Sequence, residues 1–154
     1  MSQVEKRLAD MGLKLPETAA PLAAYVPAVR TGNLVFLSGH GPIVDGKLRY
    51  TGRVGAERTL EEGQHAAQLC ALNALASLKA EIGDLDKVKR VVKLLGWVSC
   101  VADFTQLPQV MNGASLLMQE VFGEKGKHAR SAVSAQVLPN GMSVEVEMVV
   151  EVED

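Results

Sequence analysis

Few side chains in this 154-residue sequence could do chemistry, and most of them lie near its C-terminus. Arg130 opens one alternating segment, and Glu145, Glu147 and Glu151 follow in a second. An arginine among carboxylates either closes a structural ion pair, here with Glu151 or Glu145, or is left to take a ligand. The alternation alone leaves both open. His40 stands in a glycine-rich loop and titrates near neutral pH. His65, on the polar side of a helical pattern, and His128, in a loop, read as incidental. Cys70 and Cys100 sit in apolar surroundings without CxxC or Cys/His spacing, so neither a disulfide framework nor a metal site is indicated. Gly123–Gly126 with Lys125 and Lys127 could cradle an anion. No Walker pattern supports that, and no GxGxxG follows a strand.

The elements that must position these groups follow from periodicity. Ala129–Val137 and Ser143–Val152 alternate, and Pro139-Asn140-Gly141 between them carries the strongest short hairpin signal, Asn-Gly. A two-residue loop there sets Gln136 opposite Glu145, Ser134 opposite Glu147 and Arg130 opposite Glu151. One face then carries Val133, Ala135, Val137, Val144, Val146, Met148 and Val150, and the other carries Arg130, Ala132, Ser134, Gln136, Glu145 and Glu147. The apolar face needs helices. One is predicted over Leu60–Ile82, with a Thr59/Glu62 capping box, Gly83 beyond its end, and Ala67, Ala71, Ala74, Leu75, Leu78 and Ile82 as its buried stripe. A second spans Leu107–Phe122, with Pro108 in its first turn and Val110, Met111, Ala114, Leu117, Met118 and Val121 inward.

Upstream, Val4, Leu8 and Met11 give a helix to about Leu15. Tyr25–Arg30 and Leu34–Ser38 read as strands around Thr31-Gly32-Asn33, Gly39–Arg58 is loop-rich, and Lys89–Val101 reads as a strand. Trp97 and Phe104 read as core. The order ββαβαββ indicates an α+β fold, a mixed sheet with two helices on one face. We read one domain over residues 1–154, with 1–19 as an N-terminal extension. The uncovered polar face is then solvated or closed by another subunit, and a wet interface with a ligand pocket costs less than a dry one.

Composition narrows the partners. At 47% hydrophobic and 22% charged residues the chain can bury a core, and its net charge of −2 gives no footprint for nucleic acid. The basic run Lys87, Lys89, Arg90 and Lys93 lacks interleaved aromatics, so it makes a poor RNA platform. No uncharged stretch is long enough to span a bilayer and the first residues lack a signal-peptide core, so a cytoplasmic location is expected.

The residues also resemble a known family. Tyr25-Val26-x-x-Val29, then Gly32-Asn33-Leu34-Val35-Phe36-Leu37-Ser38-Gly39, Ala129-Arg130-Ser131-x-Val133, Leu138-Pro139 and Val144-Glu145-Val146-Glu147 are similar to the RidA/YjgF reactive-intermediate deaminases over about residues 20–152. The phrases SGHGP, GDLDKV and GKHARSAV resemble a longer, less characterised branch. The resemblance implies a chorismate-mutase-like fold and a homotrimer with a pocket at each interface. It also implies hydrolysis of enamines and imines such as 2-aminoacrylate to 2-oxo acids and ammonia, without a metal or organic cofactor. Arg130 would then hold the substrate carboxylate in a two-pronged ion pair, and Glu145 would activate water. Tyr25, Ser38, Gly39, His40 and Ala132 would line the pocket. Two positions depart from the family pattern: His40 replaces a glutamine and Ala132 a cysteine. The nearest counterpart of a family asparagine is Asn112. Two other functions remain in play, a trimeric binder of small carboxylates or 2-oxo acids, and an endoribonuclease or translation inhibitor.

Overall fold

In the computed structural model, residues 1–18, 20 and 24–154 are described. Seven strands and three α-helices occur among them: α1 (Gln3–Asp10), β1 (Ala28–Thr31), β2 (Leu34–His40), β3 (Ile43–Val44), β4 (Lys47–Leu48), α2 (Leu60–Ile82), β5 (Val88–Ser99), α3 (Leu107–Phe122), β6 (Ala129–Ala135) and β7 (Val144–Val152). The two long helices have the predicted bounds because their ends are written in the sequence. Thr59 and Glu62 form the reciprocal capping box, and Gly83 closes α2 at φ +84°. Pro108 sits in the first turn of α3 and Gly123 ends it. Both predicted stripes are buried. No described helix is long and apolar enough to cross a membrane.

The helix α1 stops at Met11 rather than continuing to Leu15. Its N-terminal amides are satisfied by Ser2 and by Asp86, which accepts from the backbone of Gln3 and Val4, and Arg7 ties it to the Val121 carbonyl. The strand expected from Tyr25 begins only at Ala28 and turns through Gly32-Asn33 into β2.

The sheet order is β1-β2-β7-β5-β6, with the β5–β6 pair parallel and the rest antiparallel. This corrects the expected C-terminal hairpin. Asn140 and Gly141 do take left-handed conformations, at φ +56° and +72°. The turn nevertheless carries the chain past β5, so β7 enters between β2 and β5 while β6 lies on the far side of β5. Arg130 therefore pairs with Leu94, not Glu151, and Glu145 pairs with Trp97, not Gln136.

The pairing also reverses one face. Val144, Val146, Met148 and Val150 of β7 point into the core as expected. On β6 the inward residues are Arg130 and Ala132, whose neighbours Leu94 and Gly96 are buried, whereas Val133 is 36% exposed. In a parallel pair, residues in register share a face. The uncovered face holds Glu145, Glu147, Val149, Lys93, Leu95 and Ser131 together with Val29 and Phe36, 53% and 45% exposed. Trp97 lies there too, partly exposed, rather than in the core. Phe104 packs at the core's edge as predicted.

Candidate functional site

A cavity of about 440 Å³ gathers five of the predicted residues, Tyr25, Ser38, Gly39, His40 and Glu145. A β-bulge builds it. The pairing of β2 with β7 slips between Leu37 and His40, which turns Ser38 and Gly39 out of regular register. Glycine at position 39 gives the Glu145 carboxylate its room, since a Cβ there would overlap it and make it swing away. Burial lifts the Glu145 carboxyl above the usual carboxylate range, and the charge of Glu147 adds to the effect. Such a carboxyl holds or takes a proton more readily than an exposed one.

His40 is locked in one tautomer. The Ser38 carbonyl only accepts, so Nδ1 donates to it at 2.6 Å, and Nε2 accepts from the Ser77 hydroxyl at 2.8 Å. Burial holds its pKa below the ordinary imidazole value, opposed in part by the Ser38 bond, so the ring is neutral near pH 7. Asn73 fastens the next stretch of loop to α2 by donating to the carbonyls of Gly41 and Ile43.

Arg130 and Ala132 are elsewhere, on the helix-covered side of β6. Arg130 Nη1 donates to Asn112 Oδ1 at 2.8 Å and to Ser115 Oγ at 3.1 Å, both from α3. Among the described residues no carboxylate lies within ion-pair distance of Arg130, and Glu151 is engaged by Lys89 instead. The structural ion pair that the alternation allowed is therefore not formed. Nη1 spends its hydrogens on neutral acceptors, which leaves the Nε–Nη2 edge for an anion. That edge matches a carboxylate in two parallel hydrogen bonds.

The single chain does not bring Arg130 and Glu145 together, because they face opposite sides of the sheet. Sequence reasoning missed Ser115 and set His128 aside. His128 Nε2 lies 2.8 Å from Ser115 Oγ, and its Nδ1 lies 2.6 Å from the Gly126 carbonyl. The available signal was the spacing of Asn112 and Ser115, three apart and so on one side of a helix otherwise read for its apolar stripe. The anion cradle suggested for Gly123–Gly126 is not free. Lys127 pairs with Glu124 at 2.8 Å, and Lys125 donates to the Val88 carbonyl.

Comparison with known proteins agrees with this architecture. The Trypanosoma cruzi protein TCP17 is 46% identical over 150 residues, spanning 97% of this chain and 94% of that one. A solved structure of a protein of unknown function from Agrobacterium tumefaciens is 44% identical and superposes with a TM-score of 0.92, over 97% of this chain and 93% of that one. Another, called a putative endoribonuclease, from Shewanella oneidensis, is 38% identical with a TM-score of 0.95, over 97% and 99% of the two chains. Residues 5–152 match the family described as "YjgF/chorismate mutase-like, putative endoribonuclease". The chain belongs to the YjgF/chorismate-mutase-like family, the one its Tyr25, Ser38-Gly39 and Ala129-Arg130-Ser131 motifs resemble.

Proposed function

We propose that this protein hydrolyses reactive enamine and imine intermediates of the 2-aminoacrylate type, giving a 2-oxo acid and ammonia. The observation that carries this reading is the Arg130 guanidinium, held by Asn112 and Ser115 with one edge open and, among the described residues, no carboxylate at ion-pair distance. Arg130 clamps the substrate carboxylate. Glu145 takes a proton from water as the water oxygen bonds to the imine carbon and the C=N π pair moves to nitrogen. Glu145 returns that proton to the nitrogen, giving a carbinolamine. It then takes the proton of the new hydroxyl and passes it to the nitrogen as the C=O π bond forms and the C–N bond breaks, so that ammonia leaves a 2-oxo acid. Positioning does most of the work, since an imine already hydrolyses in water.

Because Arg130 and Glu145 face opposite sides of one sheet, the working site takes Arg130 from one copy and the cavity of Tyr25, Ser38, His40 and Glu145 from the next. The homotrimer implied by the resemblance supplies three such sites, and a heterologous interface closes into a ring of this kind. The uncovered sheet face, with Val29, Phe36, Leu95, Trp97 and Val133 on it, supports burial against other copies.

The test is ammonia release from freshly generated 2-aminoacrylate, measured against the spontaneous rate. Acceleration above that rate is expected. No acceleration on this or bulkier imines, together with binding of 2-oxo acids, overturns the enzymatic reading in favour of a binding module. The Glu145→Gln variant probes the base. It is expected to lose roughly 10²–10⁴-fold in kcat, the range of general acid–base catalysis.

Its stability should move the other way. A carboxyl whose pKa is raised on folding contributes stability that is present at acid pH and is lost as pH rises through the folded value. The variant should therefore melt higher than the parent at pH 7, and the gap should close below the ordinary glutamate range. Equal melting curves at both pH values would sink this account of Glu145.

A further inference from the structure

We propose that His128 is a positioning residue for Arg130, acting through Ser115 to hold the guanidinium at the angle at which it meets a carboxylate. The proposal rests on the reading of Arg130 as the carboxylate clamp. With a neutral ring, every donor and acceptor in the connection has one assignment. The Gly126 carbonyl can only accept, so His128 Nδ1 carries the hydrogen, at 2.6 Å. Nε2 is then an acceptor, and the Ser115 hydroxyl must donate to it, at 2.8 Å. With its hydrogen committed, Ser115 Oγ presents a lone pair to Arg130 Nη1, at 3.1 Å.

A serine hydroxyl with no such partner would rotate. Here its direction is set, and each bond polarises the next. The anchor is closely packed: Gly126 is buried, and a Cβ on it would overlap the Met118 carbonyl of α3. The ring is also in the required state. Burial chiefly, opposed by the Gly126 bond and helped by the nearby Arg130 charge, holds His128 below the ordinary imidazole value, so near pH 7 it is neutral and able to accept.

Asn112 takes the second hydrogen of Nη1, at 2.8 Å. Nη1 is thus a pinned corner, and the Nε–Nη2 edge swings about it. Removing the Ser115 side of the pin frees the guanidinium to turn, which costs affinity for a carboxylate without touching the carboxylate. A chain of this form separates two roles that a contact survey would merge, binding the substrate and aiming the group that binds it.

The test uses 2-oxobutanoate as the probe and isothermal titration of the intact protein. The set comprises the parent, Ser115→Ala, His128→Phe, His128→Gln, the Ser115→Ala/His128→Phe pair and Arg130→Ala. Ser115→Ala and His128→Phe are each expected to weaken binding roughly fivefold to tenfold, about the worth of one hydrogen bond. The pair should be no weaker than Ser115→Ala alone, because one cut already breaks the chain. His128→Gln should recover most of the affinity, since its amide oxygen can accept where Nε2 did. Near-UV circular dichroism checks the fold of each variant, and if His128→Phe does not fold, Ser115→Ala and His128→Gln decide the matter. Unchanged affinity in folded Ser115→Ala, or additive losses in the pair, overturns the proposal while leaving the clamp intact. Unchanged affinity in Arg130→Ala overturns the clamp reading itself.

Discussion

Replacing Arg130 by alanine is expected to lower kcat/KM for 2-aminoacrylate roughly 10²–10⁴-fold while the chain still folds. Breaking a desolvated ion pair by removing one partner costs about 3–5 kcal/mol, and each 1.36 kcal/mol is about tenfold in rate. The cost falls on the bound state because, among the described residues, Arg130 has no carboxylate partner to lose in the free protein. What the free protein loses is two hydrogen bonds to neutral acceptors at a partly exposed position that water can reach, on the order of 1 kcal/mol of stability. Arg130→Lys should regain only part of the activity. An ammonium cannot stay on Asn112 and Ser115 and also offer two parallel N–H groups. Steady-state rates beside melting curves check both statements. An Arg130→Ala variant with parental kcat/KM would remove the clamp from the mechanism.

The second large effect is structural. Gly113→Ala is expected to destabilise the protein by about 1–3 kcal/mol, toward the upper end, although alanine is the better helix former by about 1 kcal/mol. Gly113 lies where α3 crosses α2, and a Cβ there would overlap the backbone carbonyl of Gln64. A backbone atom cannot swing aside as a side chain can. The helices must separate, and α3 carries Asn112 and Ser115 on either side of the crossing point. The melting temperature should fall by roughly 5–10 °C for a chain of this size, and affinity for 2-oxobutanoate should fall with it as the Arg130 acceptors shift. A variant that melts at or above the parental temperature would refute this account of the crossing.

Those two helices were legible in the sequence nearly to the residue, because caps and stop signals are local chemistry. Thr59, Glu62, Gly83, Pro108 and Gly123 each act within a few residues of their own positions. The alternation of β7 was legible for the same reason. Strand pairing was not. Asn140-Gly141 adopts the backbone its composition favours, but a turn does not choose which neighbour the following strand meets. That choice depends on α3, whose crossing lets β6 run parallel to β5, and on the slot left open between β2 and β5.

The error propagated to the site, since one wrong partner reversed the face assigned to Arg130 and Ala132. The residues Tyr25, Ser38, Gly39, His40 and Glu145 were identifiable by type and motif, and they share a cavity. Asn112 was noticed without its purpose. Ser115 and His128 became visible only when α3 was laid over β6, because nothing in their sequence spacing points from residue 115 to residue 130.

The separation of Arg130 and Glu145 across the sheet also bears on inheritance and dosage. In the proposed mechanism each polypeptide lends its guanidinium to one neighbour and its carboxyl to another, so no copy owns a complete catalytic centre. Two alleles that are each inert, Arg130→Ala and Glu145→Gln, should restore one another when expressed together. Random mixing places an intact arginine beside an intact glutamate in about a quarter of the sites of a closed ring. Conversely, a copy carrying both substitutions, in excess, should silence the sound copies it assembles with, and dilution below the assembly threshold should extinguish turnover before any chain unfolds.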